Sequence, residues 1–312
     1  MRWVIGFDGG GTKTDCVVAA ESGEVRGRGQ GGPSNPFRIG FGAALASIRE
    51  AAAAALKDAQ ANPADVAALC AGLGGVGQPS DAEKMRALLA TEFPHAAIRV
   101  CTDLDLLLAA APAGPLILLV AGTGSAAIGR NVGGEVVRVG GHGPMISDEG
   151  SAYDVGRRAV ITAQREYDRT GKNTVLGERI LREMGSVPWP ELRKRIQAAP
   201  DEVFPRLFSV VAGLADNGDE ASQGILRAAA YKLAEIAATL AERLRLNETK
   251  FALIKSGGMI GRSKYLDAQL QERLRIMLPN SETKNLEIPP AEAAARLALE
   301  ALYSGSAGKG AK

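Results

Sequence analysis

Ile5-Gly6-Phe7-Asp8-Gly9-Gly10-Gly11-Thr12-Lys13-Thr14 is the stretch from which the fold of this 312-residue chain can be worked out. The apolar run from Val4 to Phe7 predicts a short buried strand, which ends in one carboxylate and three glycines. Successive glycines expose backbone N–H groups with no Cβ in the way, so the loop suits close approach to a phosphate. For the glycines alone, a hairpin turn is an equally good interpretation, because such turns favour the same residues.

The residues after these glycines predict two further strands rather than a helix. Thr14 to Ala20 and Val25 to Gln30 read as strands, and the turn Glu21-Ser22-Gly23-Glu24 joins them. A P-loop is excluded, because it needs a different glycine spacing and a helix directly afterwards. The glycine loop therefore lies in a meander of strands, where Asp8 can hold Mg²⁺ directly or through water.

Length and composition limit the classes of protein to which the chain can belong. The chain is longer than one typical core and is 46% hydrophobic and 23% charged, so we expect a globular protein of two domains. Its net charge of +2 gives no electrostatic case for nucleic acid or an anionic membrane. The most apolar run, Leu106 to Ala121, is interrupted by prolines and a glycine, and we expect no signal peptide before the first strand. We expect a cytoplasmic protein.

Cysteine and histidine are too sparse for the common metal sites. Three isolated thiols, Cys16, Cys70 and Cys101, lie on strand-like segments, and we interpret them as small buried hydrophobic residues in a reducing compartment. With two histidines, His95 and His142, a histidine-based metal site is not expected.

Strands and helices alternate after the meander, which indicates a largely parallel sheet behind it. Gly72-x-Gly74-x-x-Gly77 follows one of these strands and formally matches the dinucleotide fingerprint. However, Gln78-Pro79-Ser80 separates it from the next helix, whereas the fingerprint requires the helix to begin at the third glycine. We therefore do not interpret this motif as a nucleotide site. The alternative that it forms a loop lining the substrate stays open.

The opening pattern recurs near the middle of the chain. Leu116 to Val120 and Ala126 to Arg130 predict strands around the turn Ala121-Gly122-Thr123-Gly124-Ser125, and a third strand follows at Glu135 to Val139. This weak internal duplication places the start of a second domain near Pro115. Two such loops facing each other could grip one polyphosphate from both sides.

With these motifs the chain resembles the sugar kinase/actin-like ATPase superfamily, and within it the N-acetylglucosamine and glucosamine kinases with their BadF/BadG/BcrA/BcrD ATPase relatives. The resembling motifs run in order from Asp8 to Gly258. The resemblance implies an α/β fold of two actin-like (ribonuclease H-like) ATPase domains with a cleft between them. We expect residues 1–114 with 290–303 to form the N-terminal domain, residues 115–289 the C-terminal domain, and residues 304–312 a disordered tail.

The resemblance also implies which residues bind ATP and Mg²⁺. Asp8 would hold the metal ion, and Gly257-Gly258 would lie against the adenosine, although a strand-to-helix turn explains these two glycines equally well on their own. The implied phosphate-binding residues are those of two glycine loops: Gly10, Gly11, Thr12, Lys13 and Thr14 in the first, and Gly122, Thr123, Gly124 and Ser125 in the second.

A kinase also needs a base that accepts the proton of the attacking hydroxyl. From position alone, Asp103 is better explained as the cap of the helix that follows it, and Asp105 is an equal rival as a base. The resemblance assigns the base to Asp103, because amino-sugar kinases carry a Thr-Asp dipeptide shortly before the second glycine loop. Asn35 and Asp148 match sugar-contacting residues, although Asp148 in Ser147-Asp148-Glu149-Gly150-Ser151 also suits a helix N-terminus.

We therefore predict an ATP- and Mg²⁺-dependent kinase, working as a homodimer, that phosphorylates the 6-hydroxyl of an amino sugar. N-acetylglucosamine is the first choice and glucosamine the alternative. The acyl preference stays open, because Gly140-Gly141-His142-Gly143-Pro144 lacks the aromatic residue of the animal N-acetylglucosamine kinases. A BadF-type activator ATPase would need cysteine ligands for an iron–sulfur cluster. A sugar-sensing repressor would need a helix-turn-helix, which we do not expect ahead of so early a first strand.

Overall fold

The computed structural model describes residues 2–307, and the side chains of residues 2–303. The chain forms two compact units: Met1–Pro112 with Leu286–Lys312 make unit 1, and Ala113–Asn285 make unit 2. The segment predicted as a disordered tail overlaps the end of the last helix, and its residues 308–312 lie outside the described residues. Within residues 2–307, no helix combines the length and the apolar character needed to cross a membrane.

Unit 1 is built on a mixed five-stranded sheet. Its elements are β1 (Trp3–Gly9), β2 (Thr14–Ala20), β3 (Val25–Gly31), α1 (Pro36–Ile39), α2 (Phe41–Asp58), a short 3-10 helix (Pro63–Asp65), β4 (Val66–Leu73), α3 (Pro79–Glu92), β5 (Ala97–Thr102) and α4 (Asp103–Ala109), together with the final helix of the chain, α12 (Pro290–Ala307). The strand order is β3-β2-β1-β4-β5, in which β1, β2 and β3 form an antiparallel meander and β4 and β5 run parallel to β1.

Unit 2 repeats this topology with more helices. Its elements are β6 (Leu116–Ala121), β7 (Ser125–Arg130), β8 (Val136–Gly140), α5 (Ala152–Thr170), α6 (Val175–Glu183), α7 (Trp189–Ala198), α8 (Pro200–Arg206), α9 (Phe208–Asp216), α10 (Glu220–Arg243), β9 (Phe251–Ser256), α11 (Lys264–Met277) and β10 (Ser281–Lys284). The strand order is β10-β9-β6-β7-β8, again an antiparallel meander followed by two strands parallel to its first.

β1 lies at the centre of the unit 1 sheet and is buried on both faces. Ile5 and Phe7 belong to the core cluster that includes α2, whereas Val4 belongs to the cluster that includes α12. Successive side chains of a strand point to opposite faces, so both faces of this strand must be apolar. The burial of β1 therefore follows from its uninterrupted apolar sequence.

Gly6 lets α12 lie directly against β1. A Cβ at Gly6 would overlap the backbone of Ala291, Ala294 and Ala295. We expect Gly6→Ala to lower the free energy of unfolding by about 1–3 kcal/mol, the usual cost of overpacking, as measured by urea denaturation. Gly42→Ala is the matched control, because Gly42 is an exposed glycine of α2 with open space at its Cβ position. If both variants lose the same stability, the close-packing explanation is wrong.

The structure differs from the sequence prediction in two elements. The apolar residues Leu286 to Ile288 predict a last strand, but the last strand is β10, a polar edge strand whose sequence carries no hydrophobic signal. Leu286 and Ile288 are apolar for a different reason, since they pack against the core cluster that includes α12. The sequence also predicts one helix over residues 201–214. The structure has two helices there, α8 and α9, and the first of them contains Pro205, which has no N–H to donate.

Candidate active site

In unit 1, the predicted metal-binding and catalytic acids lie at the carboxyl edge of the parallel strands. Asp8 is near the end of β1, and Asp103 directly follows β5, with β4 between them. Asp8 is in register with Gly72 of β4, which is in register with Cys101 of β5. Ligands of open α/β sheets usually bind at this edge. The two carboxyl groups therefore belong to one candidate site within unit 1.

The environment of Asp8 favours a cation. Burial raises the pKa of Asp8 to about 6, the charges of Asp103 and Asp15 add to this effect, and Lys13 opposes it. Among the described residues, no group of three or more His, Cys, Asp or Glu side chains could hold a metal ion. Mg²⁺ commonly takes one or two carboxylates and fills its shell with water and phosphate oxygens. These residues therefore fit a magnesium ion that arrives with a nucleotide.

The first glycine loop is held at its base and open at its tip. The Gly10 N–H donates to the carbonyl of Lys13 at 3.1 Å, and open space surrounds the position of a Cβ at Gly10. Gly11, Thr12 and Lys13 are exposed, and the ammonium group of Lys13 forms an ion pair with Asp15 at 2.7 Å. This open backbone face suits a phosphate group.

Thr14, the last residue of the glycine motif, is held by hydrogen bonds of its own side chain. Its side chain is buried, its hydroxyl donates to the carbonyl of Gly32 at 2.7 Å, and it lies 2.7 Å from Oγ of Ser34. The Ser34 N–H in turn donates to the carbonyl of Gly10 at 3.0 Å. The buried hydroxyl of Thr14 therefore anchors the glycine loop to the segment before α1, and its phosphate contact stays a prediction.

The structure separates the roles of two neighbouring acids. The hydroxyl of Thr102 accepts from the Asp105 N–H at 3.2 Å, and the carboxylate of Asp105 accepts from the Thr102 N–H at 3.1 Å, which is a capping box. Oδ1 of Asp103 accepts from the Leu104 N–H at 3.0 Å, and its Oδ2 lies beside Gly74. Thr102 and Asp105 thus form the cap of α4. Sequence position alone would have assigned this cap to Asp103.

Asn35 approaches the same point from another element. Its Oδ1 caps α1 by accepting from the N–H groups of Phe37 at 3.0 Å and Arg38 at 3.3 Å. Its Nδ2 and Oδ2 of Asp103 lie 3.3 and 3.4 Å from the position of a Cβ at Gly74. An amide donor and a carboxylate acceptor thus converge over Gly74, and this pair suits a ligand that carries hydroxyl groups.

The loop after β4 is a part of the site that the sequence analysis did not assign. Gly74 leaves the space in which Asn35 and Asp103 meet, and its N–H donates to the carbonyl of Gly9 at 2.8 Å. Gly75 has a φ of +83°, and a Cβ there would overlap the side chain of Asn35. The signal in the sequence was the glycine spacing of this loop. That spacing serves close side-chain approach in unit 1, where we expect a substrate-lining role.

In unit 2, the two predicted nucleotide motifs lie together. They follow β6 and β9, which are parallel neighbours. Gly257 has a φ of +107°, and a Cβ there would overlap the backbone of Ala121, whose carbonyl accepts from the Met259 N–H at 3.0 Å. The backbone nitrogen of Gly258 lies 3.6 Å from the position of a Cβ at Gly122. Gly258 is exposed with open space at its own Cβ position, so a glycine surface suited to a nucleotide exists within unit 2.

Asp148 packs against the second glycine loop. It is buried and has a φ of +70°, which is uncommon for a residue other than glycine and is concentrated at functional sites. Its Oδ1 accepts from the Ser125 N–H at 3.4 Å, and its Oδ2 lies 2.7 Å from the position of a Cβ at Gly124. The N-cap of α5 is Ser151, so Asp148 is not the cap of that helix. The structure places Asp148 in unit 2, whereas the other predicted sugar-binding residues are in unit 1.

A cavity of about 200 Å³ lies beside Asp148 within unit 2. Its lining includes Met145, Ile146, Tyr153 and Arg157, of which the first two are strongly exposed apolar side chains. These two residues directly follow the segment in which the sequence lacks the aromatic residue of the animal kinases. The cavity is therefore the candidate part of unit 2 for binding a substituent of the substrate.

The repeated mixed sheet with glycine loops at the carboxyl ends of its strands defines the class of protein as an actin-like ATPase fold. Residues 5–298 match the BadF/BadG/BcrA/BcrD ATPase family, and the chain belongs to that family. The predicted family and the predicted α/β class with two actin-like domains are thus confirmed.

Several similar proteins carry the names of sugar kinases. An N-acetyl-D-glucosamine kinase of Dictyostelium discoideum is 29% identical over 95% of this chain and 97% of that protein. An N-acetylmuramic acid/N-acetylglucosamine kinase of Clostridium acetobutylicum is 28% identical over 89% of this chain and 92% of that protein. The solved structure of a candidate N-acetylglucosamine kinase of Chromobacterium violaceum is 26% identical, covers 97% of this chain and 99% of its own, and has a TM-score of 0.78.

Proposed function

We propose that this protein is a kinase that transfers the γ-phosphoryl group of ATP to the 6-hydroxyl of an amino sugar, with N-acetylglucosamine as the first candidate. The observation that carries the proposal is the convergence of the Asn35 amide and the Asp103 carboxylate over Gly74, at the same sheet edge as Asp8. A donor and an acceptor at this point can hold a sugar hydroxyl, and an acid beside a candidate metal site can receive its proton.

In this proposal, each unit supplies a distinct part of the chemistry. Asp103 accepts the proton of the sugar hydroxyl as the hydroxyl attacks phosphorus, while Asn35 holds the sugar. Asp8 would hold Mg²⁺, and the bound ion would neutralise charge on the phosphates. The backbone of the first glycine loop receives phosphate oxygens, and the glycine surface of unit 2, with Gly257-Gly258, receives the nucleotide.

The choice of substrate rests on the three similar proteins, all of which are named as N-acetylglucosamine kinases, one of them as a candidate and one also as a kinase of N-acetylmuramic acid. Glucosamine is the alternative. The lining of the cavity beside Asp148 combines apolar, cationic and acidic side chains, and its apolar part can accommodate an acyl group or a larger substituent.

Release of ADP from Mg-ATP across a panel of sugars tests the proposal. The panel contains N-acetylglucosamine, glucosamine, N-acetylmuramic acid, N-acetylmannosamine, glucose and no sugar. We expect stimulation by one or two amino sugars, with the 6-phosphate as product. Hydrolysis of ATP at the same rate with and without every sugar would reject the kinase proposal and favour an activator ATPase.

Asn35→Asp tests the sugar contact while preserving the helix cap. Aspartate caps helices as well as asparagine does, so α1 should be retained. The donor Nδ2 becomes an acceptor oxygen beside Asp103, so we expect KM for the sugar to rise about 10- to 100-fold in steady-state assays. Asn62→Asp is the matched control, because Asn62 caps the short 3-10 helix of unit 1 by accepting from the Ala64 N–H at 3.0 Å. Equal effects of the two variants would show that Asn35 only caps.

We further propose that units 1 and 2 act as the N- and C-terminal domains of a homodimeric, cytoplasmic enzyme. The packing of α12 against β1 supports the assignment of the C-terminal helix to the N-terminal domain. Sedimentation equilibrium of the purified protein tests the oligomeric state, and a mass of one chain at micromolar concentration would reject the homodimer.

A further inference from the structure

A cation that the glycine motif does not contain lies over the first glycine loop. Arg38 is the third residue of α1, and its Nη1 and Cζ lie 3.3 and 3.8 Å from the position of a Cβ at Gly11. The guanidinium group is therefore placed against the open backbone of the loop. Arg38 is an exposed residue.

Among the described side chains, the lysine of the motif is already paired with a carboxylate, whereas Arg38 is not. The ammonium group of Lys13 forms an ion pair with Asp15 at 2.7 Å. Within the part of the chain that the structure describes, the guanidinium of Arg38 has no ion pair or hydrogen bond. Because Asp8 and Asp103 already place two carboxyl groups at this sheet edge, an arriving phosphoryl group needs a cation from the protein as well as from a metal ion.

The backbone of Arg38 is also tied to the candidate sugar site. Its N–H donates to Oδ1 of Asn35, so the residue that reaches Gly74 also fixes the start of the turn that carries the guanidinium. Arginine can bind two phosphate oxygens at once through its planar fork of donors. One short helix thus links the amide of Asn35 to a cation on the glycine loop.

We propose that Arg38 binds the phosphoryl group during its transfer, first as the γ-phosphate of ATP and then as the 6-phosphate of the product. This inference rests on the proposed function and adds a positively charged residue to it. A phosphate that stays behind on ADP is not a ligand of Arg38.

Calorimetric binding without turnover tests the proposal. For Arg38→Gln we expect the affinities for the magnesium complex of β,γ-imido-ATP and for the amino sugar 6-phosphate to fall about 10- to 100-fold, as for loss of a charge-assisted contact. The affinities for ADP and for the unphosphorylated sugar should change less than about twofold. Arg38→Lys, which keeps the charge and loses the fork, should recover part of the loss.

Arg86→Gln is the matched control for net charge, because Arg86 is an exposed arginine of unit 1 paired with Glu83 at 2.6 Å. It should leave all four affinities unchanged. Unchanged affinities in Arg38→Gln, an equal loss for ADP and imido-ATP, or a loss for the unphosphorylated sugar would overturn the role of Arg38. The two proposals can fail separately. If the wild-type protein hydrolyses ATP at the same rate with and without sugars, the kinase proposal fails. If Arg38→Gln then still loses affinity for imido-ATP but not for ADP, the γ-phosphate role of Arg38 stands.

Discussion

Asp103→Asn is expected to lower kcat for sugar phosphorylation by about 10²- to 10⁴-fold, the usual contribution of a positioned general base. Asparagine keeps the size of the side chain and an oxygen that can accept the Leu104 N–H, so the start of α4 should be retained. The variant loses the ability to take a proton from a sugar hydroxyl at the point where Asn35 converges. Steady-state assays of ADP release, with calorimetric sugar binding alongside, measure both parts of this expectation.

Asp105→Asn is the matched control, two residues further along the same turn. Its carboxylate belongs to the capping box with Thr102, and asparagine keeps one oxygen for the Thr102 N–H, so the substitution should cost no more than about 1 kcal/mol of stability and leave kcat within a few-fold of wild type. If both variants lose similar activity in proportion to lost stability, the integrity of α4 explains the effect and Asp103 is not a base. A sugar-dependent rate retained in Asp103→Asn would lead to the same conclusion.

The sequence predicted the sheets because the central strands are buried on both faces. Val4 to Phe7 and Leu116 to Val120 are uninterrupted apolar runs, and the structure makes them β1 and β6, the first strands of two identical meanders. Each glycine loop lies between two predicted strands, and this restricts the folds that the chain can adopt around it. Local signals therefore sufficed for the architecture.

Elements without a local signal were misplaced. β10 is polar and lies at a sheet edge, where only its backbone pairing with β9 makes it a strand, so hydrophobicity pointed instead to Leu286–Ile288. The hydrogen bonds that hold the buried Thr14 come from Gly32 and Ser34, which follow β3 and lie about 20 residues further along the chain. Contacts of this kind are made by the folded chain and cannot be read from the spacing of residues.

The candidate site was predictable to the extent that single motifs carry it. Asp8 and Asp103 stand in motifs with a clear resemblance, whereas the roles of Gly74 and Arg38 emerge only from their approach to Asn35, Asp103 and Gly11 in space. Position alone could not separate Asp103 from Asp105, and the hydrogen bonds of Thr102 separate them in the structure. Tertiary geometry thus supplied what the sequence left ambiguous.

Asp8→Asn is expected to remove activity and to make the ligand-free protein more stable at neutral and alkaline pH. Loss of the candidate Mg²⁺ ligand should lower kcat/KM by about 10²-fold or more. Burial and the charge of Asp103 raise the pKa of Asp8 from its ordinary value of 3.8 to about 6 in the folded protein. A difference of one pKa unit between the folded and unfolded states corresponds to about 1.4 kcal/mol before solvent screening. We therefore expect the free energy of unfolding of the variant to be about 1–2 kcal/mol higher than that of the wild type at pH 8.

The sign of the pH dependence makes this expectation specific. A carboxyl group whose pKa is raised by folding binds its proton more tightly in the folded state, so wild-type stability falls as the pH rises from about 4 to about 6. Urea denaturation without Mg²⁺ should therefore show the advantage of Asp8→Asn at pH 8 and almost none at pH 4. Asp15→Asn, which breaks the exposed pair with Lys13, is the control and should change stability by no more than about 0.5 kcal/mol. A less stable Asp8→Asn protein at pH 8 would show that the Asp8 carboxylate is satisfied within the protein and is not held ready for a cation.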